Sequence, residues 1–119
     1  MDIITYALLK KYIKKVIGSG GLLDSANKLP TPIDGVSTLV ASTKYFLGEV
    51  TTLNIAFPNV AAAGEICNIT FKSGTTPTTL TIDESNTVGD NKITCESNYT
   101  YEINGEYNGE NWVIQYLMY

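Results

Sequence analysis

Asp83, Glu84 and Asp90, set around the polar run Ser85-Asn86-Thr87 and Gly89, form the densest group of side chains able to do acid–base or metal chemistry in this sequence. Paired carboxylates can serve as a glycosidase acid and base, and clustered ones can ligate calcium. The spacing departs from the Asp-x-Asp-x-Asp-Gly pattern of a calcium loop, so a solvated turn between strands is expected instead. Histidine is absent, which removes the side chain that titrates nearest neutral pH, and no Ser or Cys sits in a Gly-x-Ser-x-Gly elbow. Cys67 and Cys95 lack the paired spacing of a zinc site or a dithiol redox motif. Each shares a strand face with apolar residues, Cys67 with Ile69 and Phe71, and Cys95 with Ile93, so both are read as small buried thiols. No catalytic residue, cofactor or metal ligand is predicted, and the chain is not expected to be an enzyme.

Binding is the remaining chemistry. Eight Tyr and one Trp could line a sugar platform, because an aromatic face stacks on the apolar face of a pyranose ring. Tyr99, Tyr101 and Trp112 alternate with polar residues among aliphatic neighbours and are expected to fill the core. Tyr107 and Tyr119, nearer strand ends, are the candidate ligand-facing aromatics. The formal net charge of −4 conceals a split: four of the eight Lys fall within the first 17 residues, and Arg is absent. An acidic body without guanidinium groups is poorly equipped to hold phosphates, so no nucleic-acid partner is expected. The longest apolar run, Val60-Ala61-Ala62-Ala63, is far short of the roughly 20 residues that a membrane span needs, and no membrane insertion is expected. Asp2 precedes the apolar residues and the lysines follow them, which is the reverse of a secretory signal. The sequons Asn68-Ile69-Thr70 and Asn98-Tyr99-Thr100 are accordingly read as chance matches.

The elements that must position these residues fall into three parts. At about 100° per residue, Tyr6, Leu9, Ile13, Val16 and Ile17 gather on one arc of a helix over residues 3–17, with Lys10, Lys11, Lys14 and Lys15 on the other side. The apolar positions repeat as a two-heptad seam for anchoring or oligomerisation. Gly18-Ser19-Gly20-Gly21 ends the helix in a hinge, so residues 1–21 are assigned to an anchor. Residues 22–35, with Pro30 and Pro32, are expected to form an extended linker arm. Residues 36–119 read as a β-domain with strands over 36–41, 45–47, 50–57, 66–72, 78–82, 92–95, 99–107 and 111–118. Asn108-Gly109 is the strongest hairpin signal, and Asn104-Gly105 competes with it. Many short strands separated by turns predict a mainly β fold: an N-terminal amphipathic helix and extended arm followed by a compact antiparallel β-sandwich or jelly roll. A helix of this length is not stable alone, so it calls for a partner.

The opening Thr5-Tyr6-Ala7-Leu8-Leu9-Lys10-Lys11-Tyr12-Ile13, followed by Gly18-Ser19-Gly20-Gly21, resembles the N-terminal segment of bacteriophage virion fibre proteins, most of all the head fibre family. Phe71-Lys72-Ser73-Gly74-Thr75-Thr76-Pro77-Thr78-Thr79-Leu80, Tyr99-Thr100-Tyr101-Glu102-Ile103, Asn108-Gly109 and Trp112-Val113-Ile114 are similar to small β-domains of phage fibre and receptor-binding proteins. The resemblance implies a virion structural protein, made in the bacterial host cytoplasm and carried on the particle. In that reading the N-terminal segment anchors to a capsid or other virion protein and the β-body projects as a homotrimer. The resemblance also allows a carbohydrate- or receptor-binding module of a tail appendage that takes a host-surface glycan. This chain lacks the repeat shaft of long fibres, which favours a short protrusion.

Overall fold

The computed structural model describes residues 23–119, and the statements below concern those residues. The helix expected over 3–17, with Tyr6, Leu9, Ile13, Val16 and Ile17, lies outside them. The described chain is mainly β and contains no helix. Its strands are β1 (Asp24–Ala26), β2 (Ser37–Thr38), β3 (Thr43–Glu49), β4 (Thr52–Ala56), β5 (Ile66–Lys72), β6 (Thr79–Ile82), β7 (Thr87–Gly89), β8 (Thr100–Tyr107) and β9 (Trp112–Met118). They form a six-stranded sheet in the order β1-β3-β5-β8-β9-β7 and a three-stranded sheet in the order β2-β4-β6.

The chain alternates between the two sheets, and each coil lies on the one before it. In the larger sheet Asp24 pairs with Thr43 and Thr43 with Cys67, both in parallel. In the smaller sheet Ser37 pairs with Ile55 and Ile55 with Ile82, again in parallel. Corners stack as strands do. The two-residue corner Val50-Thr51 receives the Lys72 carbonyl on the Val50 amide at 3.2 Å, while the Thr51 carbonyl accepts the Thr79 amide at 2.9 Å. The Thr78 hydroxyl donates to the Val50 carbonyl at 2.6 Å. A hairpin then closes the stack: β8 runs antiparallel to β5, β9 antiparallel to β8, and β7 completes the edge in parallel with β9.

The expected antiparallel sandwich or jelly roll is therefore corrected to solenoid-like stacking with an antiparallel cap. Alternation of apolar and polar residues shows that a strand has one buried face, but it is silent on the direction and identity of its neighbour. Strands consecutive in sequence, such as β3 and β4, turn a corner into different sheets instead of forming a hairpin. Four local expectations also change. The run 92–95 is not a strand; its alternation arises because Ile93 and Cys95 insert into the core while their neighbours stay outside. Asn104-Gly105 is no turn but lies inside β8. Within 22–35, expected to form an extended linker arm, β1 is hydrogen-bonded into the larger sheet and the chain turns tightly between Ile33 and Val36. Finally, β7 forms where no strand was predicted.

The core fills the space between the sheets. Tyr45, Ile69, Ile103 and Tyr116 sit in one register row across β3, β5, β8 and β9, facing Leu53, Ile55 and Phe57 from the other side. Its aromatic rings bring polar atoms that must be satisfied. The Trp112 indole donates to the Pro58 carbonyl at 2.9 Å, and the Tyr45 and Tyr101 hydroxyls accept the Val40 and Glu96 amides at 2.9 and 2.6 Å.

Candidate functional site

The acidic group singled out for chemistry falls in a turn held by the fold's own hydrogen bonds. The Asp83 carboxylate accepts the Ser85 amide at 2.8 Å, and these hydrogen bonds from Ser85 hold it below the usual carboxylate range. Thr87 closes the same turn by donating its hydroxyl to the Asp83 carbonyl at 2.8 Å. Glu84 meets Lys92 at 3.4 Å in an exposed pair, and the backbone amide of Asp90 donates to the Ile114 carbonyl at 2.9 Å. This is the solvated turn expected from the spacing. Among the described residues, no three His, Cys, Asp or Glu side chains group closely enough to hold a metal ion.

Cys67 and Cys95 are buried and unbridged. Burial pushes the Cys67 thiol up to about 12, against smaller opposing effects such as a backbone hydrogen bond from Thr43. It donates to the Val40 carbonyl at 3.1 Å. Burial also raises Cys95. A thiol held protonated in this way is a poor nucleophile.

Tyr107 and Tyr119 do not come together. Tyr107 pairs with Trp112 in register at the loop end of the hairpin, and its half-buried ring packs 5.4 Å from the Trp112 ring at an interplanar angle of 51°. Tyr119 lies at the other end, where it exchanges both backbone hydrogen bonds with Thr100. Its side chain is 49% exposed, and its hydroxyl is raised by partial burial and then by the charge of Glu102. Tyr99 is 41% exposed, although the sequence pattern placed it in the core.

Two concave surfaces were not anticipated. An open groove of about 510 Å³ runs between the 27–35 segment and the β3–β4 corner, with Leu29, Pro30, Pro32, Leu47 and Val50 among its lining residues. Pro30 and Pro32 were the available sign of it, since they stiffen an extended segment that must lie across the coil. The second, of about 260 Å³, is lined by Asn104, Glu106, Asn108, Val113 and Gln115. Asn104, Glu106, Val113 and Gln115 alternate with core residues along β8 and β9, so this hollow lies on the outward face of the larger sheet.

What this geometry defines is a short stack of β-coils capped by a hairpin, with grooves suited to contact more than to chemistry. No protein-family model matches the chain, and no curated protein matches it either.

Proposed function

We propose that this chain is a structural component of a bacteriophage virion, a head fibre or capsid decoration protein that anchors through its N-terminal segment and projects its β-body as a homotrimer. The observation that carries the reading is the division of labour along the chain. A basic amphipathic segment with the seam Tyr6, Leu9, Ile13, Val16 and Ile17 precedes a glycine hinge, and behind it stands a β-body in which Asp83 and Glu84 belong to an exposed turn and both thiols are buried. Stacked coils make an extensible, self-contained unit in which each layer is held by its neighbours, a construction suited to a protrusion. The resemblance of the Thr5–Ile13 segment to head fibre proteins supports the same assignment. The partners in this reading are sister chains and a capsid or other virion protein, and the place of the mature protein is the particle.

Sedimentation of phage particles through a density gradient tests the proposal. The wild-type chain is expected to travel with the particles, Leu9→Asp with Ile13→Asp to remain at the top, and Lys10→Glu with Lys14→Glu to travel nearly as wild type. A wild-type chain that never enters the particle band contradicts the reading. The second reading, a carbohydrate- or receptor-binding module of a tail appendage, is favoured by the exposed ring of Tyr119. It predicts glycan-array binding that is lost in Tyr119→Ala.

A further inference from the structure

Asn-Gly occurs at Asn104-Gly105 and again at Asn108-Gly109, and the fold gives the two pairs opposite surroundings. In such a pair the glycine nitrogen can attack the asparagine side-chain carbon, because no Cβ on the second residue blocks the approach. Asn104 lies inside β8 and is buried, with its side-chain oxygen accepting the Asn68 amide at 3.4 Å. The Gly105 nitrogen is committed to the sheet. The Tyr107 amide donates to the Glu65 carbonyl and the Ser73 amide to the Tyr99 carbonyl, both at 2.9 Å. The every-other-residue rhythm of an antiparallel ladder then makes Gly105 and Cys67, which lie opposite each other, a hydrogen-bonded pair. Asn108 and Gly109 stand instead in the exposed loop between β8 and β9. Among the described residues the Gly109 amide donates no backbone hydrogen bond, and the Asn108 side-chain oxygen accepts the Glu110 and Asn111 amides at 2.9 and 2.8 Å.

We propose that Asn108 is a self-modification site of the folded chain, at which the Gly109 nitrogen converts the side-chain amide to a carboxylate, while Asn104 is protected by the β8 ladder. The Gly109 nitrogen gives its proton to a solvent base and bonds to Asn108 Cγ; the Cγ–Nδ2 bond breaks, ammonia leaves, and a cyclic imide forms. Water then adds to either carbonyl of the imide, and opening of the ring leaves aspartate or isoaspartate. The co-reactant is water, and no electron is gained or lost. The Asn108 side-chain oxygen gathers negative charge during the attack, and the Glu110 and Asn111 amides that already point at it stabilise that charge. They also hold the side chain folded over its own loop, which keeps the reacting carbon near the glycine nitrogen. Each event adds one negative charge to the formal net charge of −4. The aspartate product keeps an oxygen for the two amides, whereas isoaspartate lengthens the main chain by one carbon and disturbs the closure in which the Asn108 amide donates to the Asn111 carbonyl at 3.0 Å. This chemistry belongs to the β-body and does not depend on any assignment to a particle.

Timed peptide mapping of the full-length chain tests this. The purified protein is kept warm at mildly alkaline pH, sampled over weeks, and cut after glutamate at mildly acidic pH, where the reaction is slow. Glu102, Glu106 and Glu110 place the two sites on separate peptides, Ile103–Glu106 and Tyr107–Glu110, and mass spectrometry reads the gain of one mass unit and the aspartate and isoaspartate products in each. In the native chain Asn108 should convert at least about tenfold faster than Asn104, because even one ladder hydrogen bond must open before the Gly105 nitrogen can turn to its side chain. The same incubation in concentrated urea should bring the two rates close together, since both asparagines then precede an unrestrained glycine. Equal rates in the native chain overturn the proposal, as does faster loss at Asn104. Conversion of both sites in urea with neither converting in the native chain also overturns it, because the loop hydrogen bonds of Asn108 would then protect the side chain instead of activating it.

Discussion

Gly105 shows how tightly single residues are specified in this stack. It lies in β8 with its missing side chain directed at the Phe57 ring, and a Cβ there would fall inside the ring edge. Gly105→Ala is expected to lower the unfolding free energy by about 1–3 kcal/mol through overpacking, whereas Gly48→Ala, with open space around it, should change it little; urea denaturation of the two variants is the check. Cys67 sets a second expectation. Its thiol is raised from 9.0 to about 12 in the fold, first by desolvation, so the folded chain keeps a proton that the unfolded chain releases. Stability from this group is complete below about pH 9 and is lost as pH rises towards 12, with a slope of at most about 1.4 kcal/mol per pH unit. The stability difference between wild type and Cys67→Ala should accordingly stay flat from pH 7 to about 9 and shift against wild type above that, as read from urea midpoints; a difference that changes below about pH 8 contradicts the assignment. Burial of both thiols was legible in the sequence because each shares its alternation with apolar residues. The role of Gly105 was not, since an Asn-Gly pair reads as a turn until the facing ring is known.

At the scale of elements, the hairpin between β8 and β9 depends on Asn108. Its side-chain oxygen accepts the Glu110 and Asn111 amides at 2.9 and 2.8 Å, and its own amide donates to the Asn111 carbonyl at 3.0 Å. The turn is thus a four-residue loop with Gly109 at φ 101°, not the two-residue turn that Asn-Gly suggests. Asn108→Ala should cost about 1 kcal/mol, and Gly109→Ala should add backbone strain at a positive φ; thermal melts of both report it. β5 was predicted with its observed bounds, and the main bodies of β4, β6, β8 and β9 were also legible, because each carries a long enough apolar–polar alternation. β1 and β7 escaped notice because three-residue strands at sheet edges, Asp24–Ala26 and Thr87–Gly89, are too short to show any period. The parallel pairing escaped for a different reason. It is decided by corners such as Val50-Thr51, where two ordinary residues turn the chain from one sheet to the other, and no Gly, Pro or Asn signals the change.

For the whole molecule, the stack of coils explains why the chemical reading ended in turns and core. A solenoid spends its polar side chains on corners and its aromatics on the space between sheets, and it leaves contact surfaces as its outward features. Of those surfaces, the seam and Tyr119 were proposed from the sequence, whereas the groove beside Pro30 and Pro32 and the outer face of the larger sheet depend on which strands become neighbours. Homotrimer formation, proposed from the seam and the fibre resemblance, should appear in light scattering of the full-length chain as a mass near three times 13.0 kDa that falls to one subunit in Leu9→Asp with Ile13→Asp; a wild-type monomer at every concentration argues against it. The central claim, that this is a virion protein anchored by its N-terminal segment, is tested most directly by imaging purified phage particles from the host that makes the chain, labelled with gold-conjugated antibody against the β-body. The account predicts gold on the particle surface, on heads for a head fibre or decoration protein. Particles that remain unlabelled while the protein stays in the particle-free supernatant would contradict it.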